Sequence, residues 1–210
     1  MEAATKHKVV VMNSDCIFPL GLIRKMTALL DSYEVVKSRV SFAHRSFGEH
    51  LVAQARYLFG HIFNNRQNIF GPGMSFQKDI VPKVGGYLFD EDLGWAEDGD
   101  LSMRIHGAGL THYFTTETIL HAPEKISHDL YIAGRIGRGK RVRDYKNGIG
   151  FWMGAGLLVK NILFDENKHF ALALKNSGLG VAIYLALWKL CFFGGYVVLY
   201  RRISPKAKNS

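Results

Sequence analysis

Residues 94–104 read GWAEDGDLSMR and place three acidic side chains at the start of a predicted helix. We expect this helix over residues 97–108, with Gly109 at its C-terminal end. Asp100 has a partner one turn later in Arg104, at the i+4 spacing of helical ion pairs. A helix start needs a single carboxylate as a cap, so the remaining acids of this turn are candidates for chemistry.

Asp98 is the acid of this turn that we expect to carry out the chemistry. It shares a helix face with Leu101 and Ile105 by the three-and-four spacing rule, so its side chain points toward the domain interior. An inward carboxylate in a cleft is a candidate general base.

A second carboxylate follows an apolar strand predicted at residues 8–13. Asp15 lies at the carboxyl end of this strand, where ligands gather in open α/β sheets. There it can hold a hard divalent cation. The alternative is that Asp15 only turns the chain toward Pro19, as Asx residues commonly do.

His121 ends a short predicted strand and is a candidate partner for Asp15. A lone histidine is more often structural than a ligand. A neutral imidazole here would complete a coordination shell begun by Asp15.

Strands and helices alternate up to about residue 147, which predicts an α/β domain. The hydrophobic patterns predict helices over residues 19–31, 47–63 and 79–84, and strands over residues 34–42, 111–115 and 118–121. A short apolar piece follows the turn Gly71-Pro72-Gly73.

The composition favours a packed, cytosol-facing protein. Hydrophobic residues make up 48% of the 210 residues, and the two cysteines, Cys16 and Cys191, are far apart in sequence. We therefore expect neither a disulfide framework nor a cysteine-based metal knuckle. No secretory signal is expected, because the apolar run behind the polar start is short.

The net charge of +9 is concentrated in two clusters. The first spans residues 135–146 and the second closes the chain after residue 200. Such clusters suit diphosphates, anionic lipid headgroups or nucleic acid, or form a plain solvated surface. No aromatic platform is interleaved with the charges, so no nucleic-acid partner is expected.

The order of these motifs resembles the family 2 glycosyltransferases of the GT-A fold. The segments that match this family are Asn13-Ser14-Asp15, Gly71–Phe76, Gly85-Gly86-Tyr87, residues 94–104, His121 and Arg135-Ile136-Gly137-Arg138-Gly139. The resemblance implies that the last of these segments is a loop. Residues 94–104 are the most specific of them. The resemblance covers about residues 3–145, and Asn13 replaces the first aspartate of the family's metal motif.

The resemblance implies an inverting, metal-dependent transfer of sugar from a nucleotide-diphosphate donor to an acceptor hydroxyl. Asp98 would be the base, and Asp15 and His121 would bind Mn or Mg. Further substrate contacts would come from Asn13, Glu97, Arg135 and Arg138. The family's processive synthases carry Gln-x-x-Arg-Trp, whereas Gly139 follows Arg138 here, so single addition is expected. The acceptor would be a glycan or a lipid-linked saccharide.

The resemblance begins just before the metal motif. We therefore expect residues 1–147 to form a partial GT-A catalytic domain whose N-terminal nucleoside-binding part is absent, with a second chain as one possible source of that part. The alternative is a non-catalytic transferase remnant that serves as a membrane or partner interaction module.

Residues 148–210 are predicted to form a hydrophobic helical tail that associates with the cytoplasmic face of a membrane. Residues 179–200 are long enough to span about 30 Å of hydrocarbon, although Lys189 near the middle makes insertion close to balanced. Residues 149–164 suit an interfacial helix with Trp152 at headgroup level. The tail is thus peripheral or single-span, and the alternative is that both segments pack on the domain itself.

Overall fold

The computed structural model of the chain describes residues 6–62, 69 and 71–198, and for residues 161–167 it describes the backbone alone. The chain forms two compact units. The first comprises Met1–Asp90 and Asp98–Glu124, and the second comprises Glu91–Glu97 and Lys125–Ser210. The basic residues 135–146 thus lie in the second unit, whereas composition alone groups them with residues 1–147.

The first unit holds all the described strands. Its elements are β1 (Lys8–Val11), β2 (Cys16–Ile17), α1 (Leu22–Leu29), β3 (Val35–Phe42), α2 (Phe47–Tyr57) with a π-helical turn (Leu58–Ile62), β4 (Met74–Gln77), α3 (Ile80–Lys83), α4 (Glu97–Gly107, whose first residue belongs to the second unit) and β5 (His112–His121). The second unit is helical in its described residues, with α5 (Ile126–Lys146), α6 (Phe151–Ser177) and α7 (Leu179–Val198).

The strands form one mixed sheet in the order β1-β4-β3-β5-β2. β3 and β5 pair in parallel, and the other neighbours are antiparallel. A register shift between Lys37 and Arg39 accommodates an irregularity in the pairing. The two short strands predicted at residues 111–115 and 118–121 are therefore one strand, β5. The architecture confirms the mixed α/β class that the sequence predicts.

Both faces of the sheet are covered, because adjacent residues of a strand point to opposite sides. Val35 joins a buried cluster with Ile80 of α3 and Leu101 of α4. Val36 joins a second cluster with Leu22 and Met26 of α1. The N-terminal half of β3 is consequently buried on both faces of the sheet, and polar residues there need hydrogen-bond partners within the protein.

The basic segment of the second unit differs from its prediction. The resemblance predicts a loop over residues 135–139, but these residues lie inside α5. The glycines are there for close packing: a Cβ at Gly137 would overlap the backbone of Phe192, and a Cβ at Gly139 would lie 2.6 Å from the carbonyl oxygen of Leu93. Glycine in a helix here permits backbone approach rather than a turn.

The hydrophobic tail is helical, as predicted. α6 continues to Ser177, well beyond the predicted end at residue 164. Among the described residues, α7 is the one helix long and apolar enough to cross a membrane by length and composition, with a mean hydropathy of 1.8. Residues 199 and 200 of the predicted span lie outside the described residues.

Candidate metal and catalytic site

The edge strand β2 brings Asp15 and His121 together. In this pairing Cys16 lies opposite His121 at the end of β5. The amide of Ala122 also donates to the carbonyl oxygen of Asp15 at 2.9 Å, which fixes the chain just before β2. As a result His121 Nε2 lies 3.3 Å from Asp15 Oδ2. The structure thus places the two predicted metal ligands side by side.

One hydrogen bond of His121 defines its tautomer, and therefore which ring nitrogen presents a lone pair to Asp15. Nδ1 lies 2.9 Å from the carbonyl oxygen of Ala122, and because a carbonyl can only accept, Nδ1 carries the proton of this bond. The ring also stacks on Phe42, with centroids 4.4 Å apart. In the neutral ring Nε2 is then an acceptor. Two acceptors at 3.3 Å need a cation between or beside them, either a second ring proton or a metal ion.

Cys16 adds a third donor atom that the sequence analysis did not assign. The donor atoms of Asp15, Cys16 and His121 all lie within 4.8 Å of one another. Burial, followed by the neighbouring Asp15 carboxylate, raises the pKa of the Cys16 thiol to about 11. The protonated thiol lies 3.6 Å from Asp15 Oδ1 and donates to it. Cys16 directly follows Asp15 in the sequence, and this adjacency was the signal that could have identified it as a donor.

This donor set fits a divalent cation with an open coordination sphere. Asp15 and His121 supply one oxygen and one nitrogen, whereas a structural zinc site is closed by about four protein ligands. A hard octahedral ion needs about six donors, so water or phosphate oxygens would supply the rest. The half-exposed Asp15 side chain leaves room for them. Together with Cys16, these residues could hold a divalent cation, and its identity as Mn or Mg stays a prediction.

Asp98 lies at the start of α4 and ties that helix to the glycine turn before β4. Its Oδ2 accepts from the amide of Gly71 at 2.9 Å, and its Oδ1 accepts from the amide of Gly99 at 2.6 Å. The side chain is half-buried. A carboxylate offers about four lone-pair positions, so these two bonds leave it able to accept a further proton donor.

Lys37 is the charged residue of this region that the sequence analysis missed. It is 3% exposed in the middle of β3, and its Nζ donates to the carbonyl oxygens of Pro72 at 2.5 Å and Ser38 at 2.7 Å. Burial lowers its pKa to about 7, while Asp98 and Cys16 act in the opposite direction. The ammonium is therefore within electrostatic reach of both the candidate base and the candidate metal site.

Asp100 and Arg104 form the ion pair that their spacing predicts. Arg104 Nε lies 2.7 Å from Asp100 Oδ2, and both side chains are largely buried. The same guanidinium donates to the carbonyl oxygens of Val84, Tyr87 and Leu88. This pair fixes the segment that contains the Gly85-Gly86 turn against α4. Its role is structural support beside Asp98.

The remaining predicted substrate contacts are distributed over both units. Asn13 is exposed between β1 and β2, and Glu97 is half-buried at the first residue of α4. Arg135 and Arg138 lie on α5 in the second unit, where Arg135 donates to the hydroxyl of Tyr131 at 2.9 Å. Substrate binding by these four residues stays a prediction.

Comparison with known proteins finds no family model and no curated protein that matches this chain. Family membership is therefore not shown, and glycosyl transfer is a proposal that depends on the residues of the site.

Proposed function

We propose that the first unit is the catalytic part of a metal-dependent, inverting, non-processive glycosyltransferase that uses a nucleotide-diphosphate sugar. The observation that supports it most is the Asp15–His121 pair, whose two acceptor atoms lie 3.3 Å apart, a spacing that a metal ion or a second ring proton would satisfy. Asp98 supports it further, because it is a half-buried carboxylate near the candidate metal site. Asp98 and Cys16 both interact electrostatically with the same buried lysine, Lys37.

A divalent cation at Asp15 and His121 would supply positive charge to the leaving diphosphate. Asp98 accepts the proton of the acceptor hydroxyl. The acceptor oxygen then forms its bond to the anomeric carbon of the sugar as the bond from that carbon to the diphosphate oxygen breaks, and the electron pair leaves with the diphosphate. One displacement of this kind inverts the anomeric centre.

The present hydrogen bonds of Asp98 are compatible with this role. Catalytic hydrogen bonds are often formed only once the substrate is bound. The Gly71 amide holds one oxygen of Asp98 in place, which orients the carboxylate without using all its acceptor positions. The Lys37 ammonium, held by Pro72, contributes positive charge near the carboxylate.

The proposal places the protein at the cytoplasmic face of a membrane, acting on a glycan or a lipid-linked acceptor. The apolar helices α6 and α7 support this location. A lipid-linked acceptor would be presented at the same surface, so membrane association would bring the protein close to its acceptor.

Replacement of Asp98 by Asn tests the proposal. Asp98→Asn keeps an oxygen that can accept from Gly71, so folding should be retained while transfer from a nucleotide sugar falls by about 100-fold or more. Asp31→Asn, at an exposed surface position, is the matched control and should leave transfer unchanged. Transfer is measured with the chain alone and with the N-terminal segment that the resemblance expects. Undiminished transfer by Asp98→Asn contradicts the base assignment.

A further inference from the structure

α7 satisfies the length and hydropathy of a membrane span, yet it packs lengthwise against α5 within the second unit. Two buried hydrogen bonds join the helices. The hydroxyl of Tyr184 donates to Asp129, and the hydroxyl of Tyr196 donates to Asp144 at 2.9 Å. All four residues are at most 3% exposed. The earlier residue of α5 pairs with the earlier residue of α7, and the later with the later, so the two helices run parallel. The two hydrogen bonds join them near both ends of their contact.

The tyrosine–carboxylate bonds are stable features of this interface. Burial, followed by the hydrogen bond to Asp144, raises the pKa of Tyr196 to about 12, so the phenol remains a donor. Asp144 also accepts from Lys140 Nζ at 2.9 Å and 2.8 Å. Separating α7 from α5 would break both tyrosine–carboxylate hydrogen bonds, which is costly because the groups are buried.

Glycines bring the two helix backbones together between these bonds. A Cβ at Gly195 of α7 would overlap the carbonyl of Gly134 on α5, and a Cβ at Gly137 of α5 would overlap the carbonyl of Phe192 on α7. This face of α7 therefore packs closely on α5 and is not available to contact lipid tails. The buried face of α7 belongs to the protein.

The charge of α5 prevents this helix pair from entering hydrocarbon together. Cationic side chains occupy its second half, at Arg135, Arg138, Lys140, Arg141, Arg143 and Lys146. A cation at the centre of a membrane helix strongly disfavours insertion. Asp144 can offset only its own partner, Lys140. A helix docked along α5 therefore stays outside the hydrocarbon core unless it first detaches.

The outer face of α7 is nevertheless apolar, and the described residues leave it exposed. A stripe along one side of the helix is at least 47% exposed at each position. Its members follow at spacings of four, four, three and eight residues, and they are Leu179, Ile183, Leu187, Leu190 and Val198. On α6, Trp152, Met153 and Leu157 are more than half exposed as well. Exposed cations accompany these side chains on α6 at Lys160, Lys168 and Lys175. Apolar stripes with neighbouring cations are typical of helices that lie in the interface of anionic membranes.

We propose that α7 does not span a membrane but stays docked along α5, and that its outer stripe, named above, binds the surface of an anionic bilayer. This inference concerns the second unit alone and holds whether or not the first unit transfers sugar. The positive charge of the chain and the cations of α6 favour a lipid surface over a second copy of the same chain, whose stripe would carry the same charges.

Topology mapping of the full chain tests the absence of a span. A glycosylation acceptor placed after Ser210 is expected to remain unmodified when the chain is synthesised with microsomes, and alkaline carbonate is expected to release the protein. A glycosylated C-terminus together with carbonate resistance would overturn the proposal.

Vesicle binding tests the stripe itself. The chain should sediment with phosphatidylcholine vesicles that contain phosphatidylserine, and less with phosphatidylcholine alone. Leu187→Glu with Leu190→Glu should lower the partition coefficient by about tenfold or more, because two apolar contacts become charged. Lys25→Gln, on α1, is the control and should bind as wild type. Equal binding by the Glu variant, or a lipid-free dimer that the Glu variant abolishes, would contradict the lipid assignment.

The tyrosines test the docking. Tyr184→Phe with Tyr196→Phe removes both hydrogen bonds and should raise the carbonate-resistant fraction, because α7 detaches more easily and its apolar length then suffices to insert. Tyr145→Phe, exposed on α5, should not change that fraction. A double variant whose α7 remains as extractable as wild type contradicts the role of the two bonds, and circular dichroism verifies that each variant is folded.

Discussion

The imidazole of His121 and the carboxylate of Asp15 face each other across 3.3 Å, although they come from opposite ends of the first unit's sequence. The two-residue strand β2 and the end of β5 create this contact. Because Nδ1 of His121 donates to Ala122, the nitrogen that faces Asp15 is available to a cation. The first unit thus brings together, at the edge of its sheet, side chains that could hold a cation.

Gly73 is predicted to be indispensable to the turn beside Asp98. Its φ is +77°, and an added Cβ would lie 2.5 Å from Ser38 Oγ and overlap the side chain of Ile119. Gly73→Ala should therefore lower the free energy of unfolding by about 2–4 kcal/mol, from strain and overpacking together. Gly71→Ala is the control: its φ is +67° but its Cβ meets no atom within 4 Å, so about 1–2 kcal/mol is expected. Urea unfolding measures both, and equal losses would contradict the packing argument.

The buried Lys37 is predicted to make stability depend on pH. Its folded pKa of about 7 lies below its ordinary value of 10.5, so between these values the unfolded chain binds the extra proton. The free energy of unfolding should then rise with pH across this window, by at most about 1.4 kcal/mol per pH unit for one group. The gain in unfolding free energy from deprotonation of Lys37 is absent below about pH 7 and complete above pH 10.5.

Lys37→Met isolates this effect, because Met cannot titrate. The difference in unfolding free energy between wild type and Lys37→Met should shift in favour of wild type as pH rises from neutral to alkaline. A difference for Lys37→Met that is independent of pH would show that Lys37 is charged in the folded protein at every pH tested.

Arg104 is predicted to be irreplaceable by lysine. Its guanidinium serves Asp100 and three carbonyl oxygens at once, and a lysine ammonium cannot span that arrangement. Arg104→Lys should lower the free energy of unfolding by about 2–3 kcal/mol, since buried acceptors lose their donors. Lys83→Arg, in an exposed ion pair with Glu34, should change it by less than about 0.5 kcal/mol. Similar effects of both substitutions would contradict the clamp.

Local signals predicted the parts of the site that depend on neighbours in sequence. The Asp100–Arg104 pair followed from i+4 spacing, and the helix start at Glu97 followed from its acidic turn. The mixed α/β class followed from alternating patterns. These features are governed by interactions within one or two turns of chain.

Non-local contacts produced what the sequence did not predict. β2 is too short to leave a hydrophobic pattern, and its partner is the far end of β5. The burial of Lys37 arises because the turn before β4 covers it, which no pattern in β3 reveals. Residues 135–139 were expected to form a loop from the family resemblance, whereas they lie inside α5 and their glycines accommodate the backbones of Phe192 and Leu93.

The most direct test of the cation site is its coupling to a diphosphate. Inorganic pyrophosphate is the probe, because it offers the diphosphate without requiring a nucleoside pocket. We predict that Mn²⁺ alone binds weakly, and that Mn²⁺ and pyrophosphate each raise the other's affinity by the same factor, about tenfold or more. Asp15→Asn and His121→Ala should abolish the coupling, whereas His7→Ala, at an exposed position, should preserve it.

Calorimetric titration of the chain with pyrophosphate, with and without Mn²⁺, gives this factor directly. The account predicts tighter pyrophosphate binding with Mn²⁺ in wild type and in His7→Ala, and no change in the two site variants. Pyrophosphate affinity that is the same with and without Mn²⁺ in wild type would contradict the assignment of Asp15 and His121 as metal ligands, and with it the proposed metal-dependent transfer.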